Sequence, residues 1–240
     1  MHHPPDYLVI GHLCRDISPT GYRPGGTAAY AAHMAHQLGC HTAVLTSTSP
    51  SYDLSEALPL GVDIHSVPAL QDTVFENTER HGSRQQTIHS VASRITAAQV
   101  PAHWFGAAVV HLAPIANELD PTLINQFRNH IIGVTPQGWM RGWGDNGRVY
   151  PRPLPDAEEI CRKATAVILS EEDVSDEALL KQFIQWANML VLTRGAKGCT
   201  LFHHGRTHDI AAPAVAQVDA TGAGDIFAAA FLIRLWRNSG

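Results

Sequence analysis

The residues best suited to chemistry form a glycine-rich run just before an apolar stretch. Asp219-Ala220-Thr221-Gly222-Ala223-Gly224-Asp225 precedes residues 226–236, whose apolar, alanine-rich pattern predicts a helix. Unpaired N–H groups and the positive end of the dipole favour an anion at a helix N-terminus. We therefore expect the backbone amides from Gly222 to Gly224 to cradle a phosphoryl group, with Asp225 as general base toward a hydroxyl. In the alternative, the glycines only make a tight turn and Asp225 complements the dipole.

Two common phosphate-binding motifs do not fit this sequence. The chain contains no G-x-x-x-x-G-K-[ST], and Phe227 stands where a dinucleotide-binding fingerprint would need its third glycine. A P-loop ATPase and an NAD enzyme are therefore disfavoured.

Composition excludes several classes of partner. The 240 residues include 17 Lys and Arg against 22 Asp and Glu, for a net charge of -5, without long runs of one sign, so we expect no nucleic-acid partner. The four cysteines are widely separated, which suits reduced thiols better than disulfides or zinc. No apolar run approaches the ~18 residues of a membrane span, and the first residues lack the features of a signal peptide. We expect a cytoplasmic protein with no membrane partner.

Short apolar runs alternate with helical patterns along the chain. Strands are predicted at 7–13, 41–46, 107–112, 131–135, 166–169 and 189–193, and capped helices at 28–38 and 175–187. This alternation predicts one α/β domain over residues 1–240, with a Rossmann-like, mostly parallel central sheet flanked by helices. Residues 72–92 are predicted to form a hairpin that serves as a small β lid, and residues 138–155 an ordered loop.

Through its glycine-rich run, the chain resembles the ribokinase-like, or PfkB, family of carbohydrate kinases. The run from Asp219 to Asp225 matches the family's D-x-T-G-A-G-D signature in every fixed position. Three further stretches are similar to family motifs: Gly11-His12-Leu13-Cys14-Arg15-Asp16, Pro24-Gly25-Gly26-Thr27-Ala28 and Thr193-Arg194-Gly195-Ala196-Lys197-Gly198.

The resemblance implies ATP-dependent phosphorylation of a hydroxyl on a small polyol, which could be a sugar, a cyclitol or a nucleoside. It makes Asp225 the base and the amides of Gly222, Ala223 and Gly224 the anion hole, with Mg²⁺ bridging the phosphates. It places Asp16, Gly25 and Gly26 at the substrate, and the residues of the nucleotide site are Thr193, Gly195, Lys197, Gly198 and Thr221. A monovalent cation and a homodimer are further candidates.

Simpler roles are open for several of these residues. Asp16 could cap a turn with Ser18, Gly25 and Gly26 could only begin a helix, and Lys197 could sit in a hairpin turn. Gln137 and Arg141 lie just beyond the carboxyl end of a predicted strand, from where they could reach substrate.

Other positions depart from the family pattern. Ser170-Glu171-Glu172-Asp173 stands where the family carries N-x-x-E, so Asp173, or Glu172 in its place, would hold Mg²⁺ through water. Tyr30 stands where ribokinases often carry an Asn, which argues against ribose itself as the substrate. The short interval between Asp16 and Gly25 predicts that little of the lid lies there.

Two expectations follow from these departures. Because the sequence ends at Gly240, just past the helix after Asp225, we expect an incomplete adenine pocket and weak ATP binding. The competing hypothesis is a non-catalytic protein with a kinase-like fold that binds a polyol or nucleotide.

Overall fold

The computed structural model describes residues 3–80, 83–127, 130–174 and 176–239. Within them, helices cover both faces of a nine-stranded sheet, and two small sheets lie at one of its edges. The expected α/β fold is therefore confirmed. No helix in the described part of the chain has the length and apolar character that a bilayer crossing needs.

The described residues form fifteen strands and five α-helices. The strands are β1 Tyr7–Ile10, β2 Cys14–Ser18, β3 Gly21–Gly25, β4 Thr42–Thr48, β5 Asp63–Pro68, β6 Thr73–Arg80, β7 Ser83–Ser90, β8 Val109–Leu112, β9 Ile131–Val134, β10 Arg141–Trp143, β11 Val149–Pro151, β12 Ala166–Ser170, β13 Met189–Thr193, β14 Cys199–His203 and β15 Arg206–Ile210. The helices are α1 Thr27–Gln37, α2 Leu54–Ala57, α3 Ala157–Lys163, α4 Glu177–Trp186 and α5 Ala223–Arg237.

The large sheet has the order β15-β14-β13-β12-β9-β8-β1-β4-β5. Neighbouring strands from β13 to β5 are parallel, whereas β14 pairs antiparallel with both β13 and β15. Alternate residues of β1 separate the two cores. Leu8 and Ile10 face the side covered by α3 and α4, whereas Tyr7 and Val9 face α1 and α5. Burial on both faces explains the nearly continuous apolar runs of the central strands.

The six predicted strands and the three predicted helices are present, and the ends of all except β13 are shifted. β1 ends at Ile10, three residues earlier than predicted, and α4 begins at Glu177 with Asp176 as its N-cap, whose carboxylate accepts the N–H of Leu179. Ser175, predicted to open that helix, lies outside the described residues, as does Gly240.

The predicted lid hairpin belongs to a larger sheet than expected, and the name lid is used here for that sheet of β2, β3, β6 and β7. β6 and β7 form the expected hairpin, although its turn at residues 81–82 lies outside the described residues. The four-stranded sheet β3-β2-β6-β7 also takes two strands from the interval between Asp16 and Gly25, so the prediction that little of the lid lies there is wrong. A two-residue turn between Ser18 and Gly21 allows this short segment to form both strands.

The segment 138–155 also contains more regular structure than an ordered loop. β10 and β11 pair antiparallel within it, and Thr87 of the lid bridges to Arg148. The many glycines and prolines of this segment disfavour strands, so its sequence did not indicate this pairing. Hydrogen bonds to the lid stabilise the extended backbone instead.

Candidate active site

The site lies where the sheet changes its direction of winding. From β1 the chain passes through α1 to β4 on one side, while β8 lies on the other side of β1. Ligands of open α/β sheets bind in the crevice at the carboxyl ends of such strands. The loops that carry His12, Pro114 and Gln137 follow β1, β8 and β9 at this edge.

Two helix N-termini meet in this crevice. α1 begins at Thr27 and α5 at Ala223, and the Thr27 Oγ1 donates a 2.8 Å hydrogen bond to Asp225 Oδ1. Gly222 precedes α5 with φ of 75°, and a β-carbon there would lie 2.5 Å from the Tyr30 ring. Only glycine therefore combines this left-handed backbone with so close an approach to α1. The positive ends of both helix dipoles therefore lie near the Asp225 carboxylate, although Ala29 N donates to the Gly26 carbonyl oxygen at 3.0 Å and Ala223 N to that of Ala220 at 3.1 Å.

A cavity of about 710 Å³ lies between this edge of the sheet and the lid. It brings together most of the predicted catalytic and substrate-binding residues, namely Asp16, Gly26, Gln137, Arg141, Gly222, Gly224 and Asp225. It also includes Thr221, which was predicted for the nucleotide site. Gly25 adjoins it, because a β-carbon at that position would overlap Asp16 Oδ2. Ala223 does not line the cavity; it lies in the first turn of α5, and its N–H donates to the Ala220 carbonyl oxygen at 3.1 Å.

The electrostatic surroundings of Asp225 suit a base near neutral pH. Burial raises the pKa of this carboxyl to about 6, an effect opposed by the Thr27 hydrogen bond and the Arg141 charge and increased by Asp173. Above that pH the carboxylate is ionised, and its pKa is close enough to neutrality for it to accept a proton from a hydroxyl.

Arg141 is held beneath the lid. Its Nη1 donates to the carbonyl oxygen of Ile115 at 2.9 Å, and its guanidinium lies 5.5 Å from the centre of the Phe75 ring on β6. The arginine thus places a positive charge in the cavity while contacting both the body and the lid.

The predicted magnesium residues line a smaller pocket that adjoins the cavity. This side pocket measures about 220 Å³ and shares Gln86, Gln137 and Arg141 with the larger cavity. Asp173 Oδ2 accepts the N–H of Ser170 at 2.9 Å, and Asp173 Oδ1 accepts Gln137 Nε2 at 3.2 Å. Ser170 at the start of this turn also accepts the N–H of Glu172, so it acts as a capping residue.

The predicted nucleotide residues from Thr193 to Gly198 lie apart from the cavity walls. Thr193 ends β13 beside Ser170 of β12, at the same edge of the sheet, and its Oγ1 donates to the Leu169 carbonyl oxygen at 3.2 Å. Gly195 and Lys197 form a short turn before Gly198, and Lys197 Nζ lies 3.8 Å from Glu171 Oε1. These residues therefore lie outside the cavity, beyond the turn formed by Ser170 to Asp173.

The lid is tied to the body through residues to which the sequence had assigned no role. His12 is fully buried, its Nε2 donates to the Ser93 carbonyl oxygen at 2.8 Å, and its Nδ1 lies 2.7 Å from Thr73 Oγ1. Burial lowers the pKa of His12, which keeps the ring neutral. Arg15 Nε donates to Asp72 Oδ2 at 2.8 Å. These contacts hold both ends of the β6–β7 hairpin.

Other contributors to the site were also missed. Glu118 is buried, and its carboxylate accepts backbone N–H groups from His12, Ile115 and Ala116. It thereby fixes the loops after β1 and β8 against each other. Thr27 was visible as the residue after the paired glycines, but its partner Asp225 is distant in sequence.

Two sequence comparisons find proteins similar to this chain. The pfkB family carbohydrate kinase domain matches residues 152–240. A cytidine kinase of Thermococcus kodakarensis is 29% identical over 244 residues, which cover 95% of this chain and 87% of that protein.

Solved structures share the fold. A pyrophosphate-dependent kinase in the ribokinase family, complexed with a pyrophosphate analog and myo-inositol, superposes with a TM-score of 0.78 at 21% identity over 97% of this chain and 88% of that one. An Arabidopsis thaliana ribokinase complexed with ribose and ATP gives 0.71 at 19% identity over 98% and 86%.

Proposed function

We propose that this chain, whose residues 152–240 match the pfkB family carbohydrate kinase domain, is a phosphotransferase with an alcohol acceptor and moves the γ-phosphoryl group of ATP to a hydroxyl of a small polyol. The acceptor is a sugar, a cyclitol or a nucleoside. The observation that carries the proposal is the position of Asp225, which lies in the cavity at the N-terminus of α5 with its pKa raised to about 6.

In this proposal the acceptor binds between the lid and the start of α1. The Asp16 carboxylate accepts hydrogen bonds from acceptor hydroxyls, and the Gly25–Gly26 backbone permits a close approach. The polar atoms of Gln137 and the charge of Arg141 face the same cavity and complete the acceptor site.

Asp225 then removes the proton of the reacting hydroxyl. Its Oδ1 is held by Thr27, so Oδ2 is the oxygen directed to accept the proton. The hydroxyl oxygen bonds to the γ-phosphorus, the bond from that phosphorus to the bridging oxygen breaks, and ADP leaves with the electron pair. The amides of Gly222 and Gly224 stabilise charge on the phosphoryl oxygens, and the amide of Ala223 does so once it turns from the Ala220 carbonyl oxygen to the phosphoryl group.

The remaining residues are assigned to the donor. Thr221 lines the cavity and is assigned to the phosphates of the nucleotide. The nucleotide is also assigned the residues that lie apart from the cavity at the same edge of the sheet, namely Thr193, Gly195, Lys197 and Gly198. Among the residues that the structure describes, no three His, Cys, Asp or Glu side chains are grouped to hold a metal ion directly. Asp173 and Glu172 fit a cation held through water, because both Asp173 oxygens already accept N–H groups. Bound Mg²⁺ would neutralise charge on the phosphates.

The test is ADP release by the purified chain with ATP and Mg²⁺ and a panel of sugars, cyclitols and nucleosides. We expect at least one acceptor to raise ADP release well above the acceptor-free control. Acceptor binding without any such release, with either ATP or pyrophosphate as donor, would favour the non-catalytic alternative.

A further inference from the structure

The side pocket gives the acceptor site an extension. It is lined on one side by Gln85 and Gln86 of β7 and on another by residues 148–151 around β11. Because it shares Gln86, Gln137 and Arg141 with the cavity that contains Asp225, one ligand can occupy both spaces. Its 220 Å³ is less than a complete ligand pocket usually offers, so it suits one part of a larger molecule.

Backbone hydrogen bonds fix the two walls of this pocket relative to each other. Ile88 N donates to the Gly147 carbonyl oxygen at 2.8 Å, and Thr87 bridges to Arg148. The β10–β11 hairpin is thereby joined to lid strand β7. Lid strand β7 lines the side pocket, and β6 and β7 also line the larger cavity. The lid would therefore position the part of an acceptor in each of these spaces at the same time.

Tyr150 provides an aromatic surface in this pocket. A β-carbon on Gly142 would lie 2.7 Å from Tyr150 Cε2, so the ring packs against the backbone of the paired strand β10. The side chain is nevertheless 52% exposed and lines the pocket. An aromatic ring supported on one side and open on another is a platform on which a planar heterocycle can stack.

Carboxamides supply hydrogen-bonding groups around this platform. Gln85, Gln86 and Gln137 line the pocket, and Gln86 Nε2 is oriented by a 2.9 Å hydrogen bond to Asn77 Oδ1. A carboxamide presents an acceptor oxygen beside N–H donors, which matches the adjacent donors and acceptors on the edge of a nucleobase. A free pentose or cyclitol has no planar ring that would use the Tyr150 platform.

We propose that the acceptor is a nucleoside, with its base stacked on Tyr150 on the side of the pocket formed by β7 and β11, which leaves the side lined by Glu172 and Asp173 to the cation. Its ribose would lie in the larger cavity, where one ribose hydroxyl faces Asp225. This inference rests on the proposed function for its catalytic step, but the base subsite itself is a statement about binding. It makes Tyr150 and Gln85 determinants of specificity.

The experiment compares binding and turnover of cytidine, uridine, adenosine, ribose and myo-inositol. Binding is measured by calorimetry and turnover by ADP release, for the wild type and for Tyr150→Ala, Tyr150→Phe and Gln85→Leu. Tyr22→Ala is the matched control, since Tyr22 is an exposed lid tyrosine that lines neither pocket.

We expect a nucleoside to be the best ligand. Tyr150→Ala should bind nucleosides roughly 5- to 100-fold more weakly, because it loses the stacking of the base on the ring. Tyr150→Phe and Tyr22→Ala should stay near wild type, and Gln85→Leu should weaken binding to nucleosides only.

The outcomes separate the subsite from the reaction. Turnover of ribose or myo-inositol at least as good as that of every nucleoside would overturn the subsite and leave the kinase proposal standing. Nucleoside binding that depends on Tyr150, without ADP release, would support the subsite and contradict the kinase proposal. Nucleoside affinity that is equal in Tyr150→Ala and wild type would also overturn the subsite.

Discussion

Thr27 and Asp225 are 198 positions apart in sequence, and the hydroxyl of the first donates to the carboxylate of the second at 2.8 Å. The hydrogen bond joins the first turn of α1 to the first turn of α5. Arg237 Nη2 donates to the Leu38 carbonyl oxygen at the other ends of the same helices, so α1 and α5 lie side by side along their lengths. One oxygen of the proposed base is thereby held by a helix that begins at the acceptor site.

Asp225→Asn should remove turnover and leave acceptor binding largely intact. The amide keeps an oxygen that can accept the Thr27 hydrogen bond but cannot take the proton, and general-base catalysis contributes about 10²–10⁴-fold. ADP release and calorimetry measure the two properties. Because burial disfavours the charged carboxylate, the midpoint of thermal unfolding at pH 8 should not fall. A kcat within a few fold of wild type would refute the assignment of the base.

Activity should decline as pH falls through about 6. The folded pKa of Asp225 is raised to about 6, so the base is ionised above that pH and protonated below it. Thr27→Val removes a hydrogen bond that lowers this pKa, and the acid limb of kcat/KM should therefore move to higher pH. Thr27→Ser, which retains the hydroxyl, is the control. The same acid limb in Thr27→Val and wild type would argue against the role of this hydrogen bond.

Gly222→Ala and Gly224→Ala should affect stability differently. At Gly222 a methyl group meets the Tyr30 ring and the backbone is left-handed, which alone costs about 1–2 kcal/mol. A β-carbon on Gly224 meets nothing within 4 Å, and alanine favours the helix. Denaturant unfolding should show a clear loss for the first variant and no loss for the second. Equal losses would show that the contact between Gly222 and Tyr30 has no special importance.

Asp173→Asn should raise the Mg²⁺ concentration needed for half-maximal activity. The substitution removes a negative charge from a turn where the carboxylate accepts the Ser170 N–H and Gln137 Nε2. Glu171→Gln is the matched control, since Glu171 faces Lys197 and does not line the side pocket. Magnesium titrations of ADP release distinguish the two variants. A larger shift in Glu171→Gln than in Asp173→Asn would contradict this placement.

Acceptor binding should protect the lid from hydrogen exchange. Phe75, Asn77 and Gln86 line the cavity from β6 and β7, so a bound acceptor that closes the lid should slow amide exchange in both strands. The β14–β15 hairpin, which lines neither the cavity nor the side pocket, serves as the internal reference. Unchanged exchange in β6 and β7 at saturating acceptor would reject closure of the lid.

Local signals were sufficient to predict the sheet, and the turn and helix start at which the phosphate cradle and the base are proposed. The apolar runs that form β4, β12 and β13 are buried on both faces of the sheet, and such strands can be recognised from their composition alone. The run from Asp219 to Asp225 likewise contains its own turn, helix start and carboxylate within seven residues.

Tertiary structure decided which distant residues meet. Pairing of β2 with β6 made the segment from Asp16 to Gly25 part of the lid, and no pattern within that segment indicates its partner strand. The contact between Thr27 and Asp225, the burial that raises the Asp225 pKa, and the side pocket beneath Tyr150 arise in the same way. Such features depend on packing between elements that are far apart in the chain, whereas the motifs depend on neighbours within a few residues.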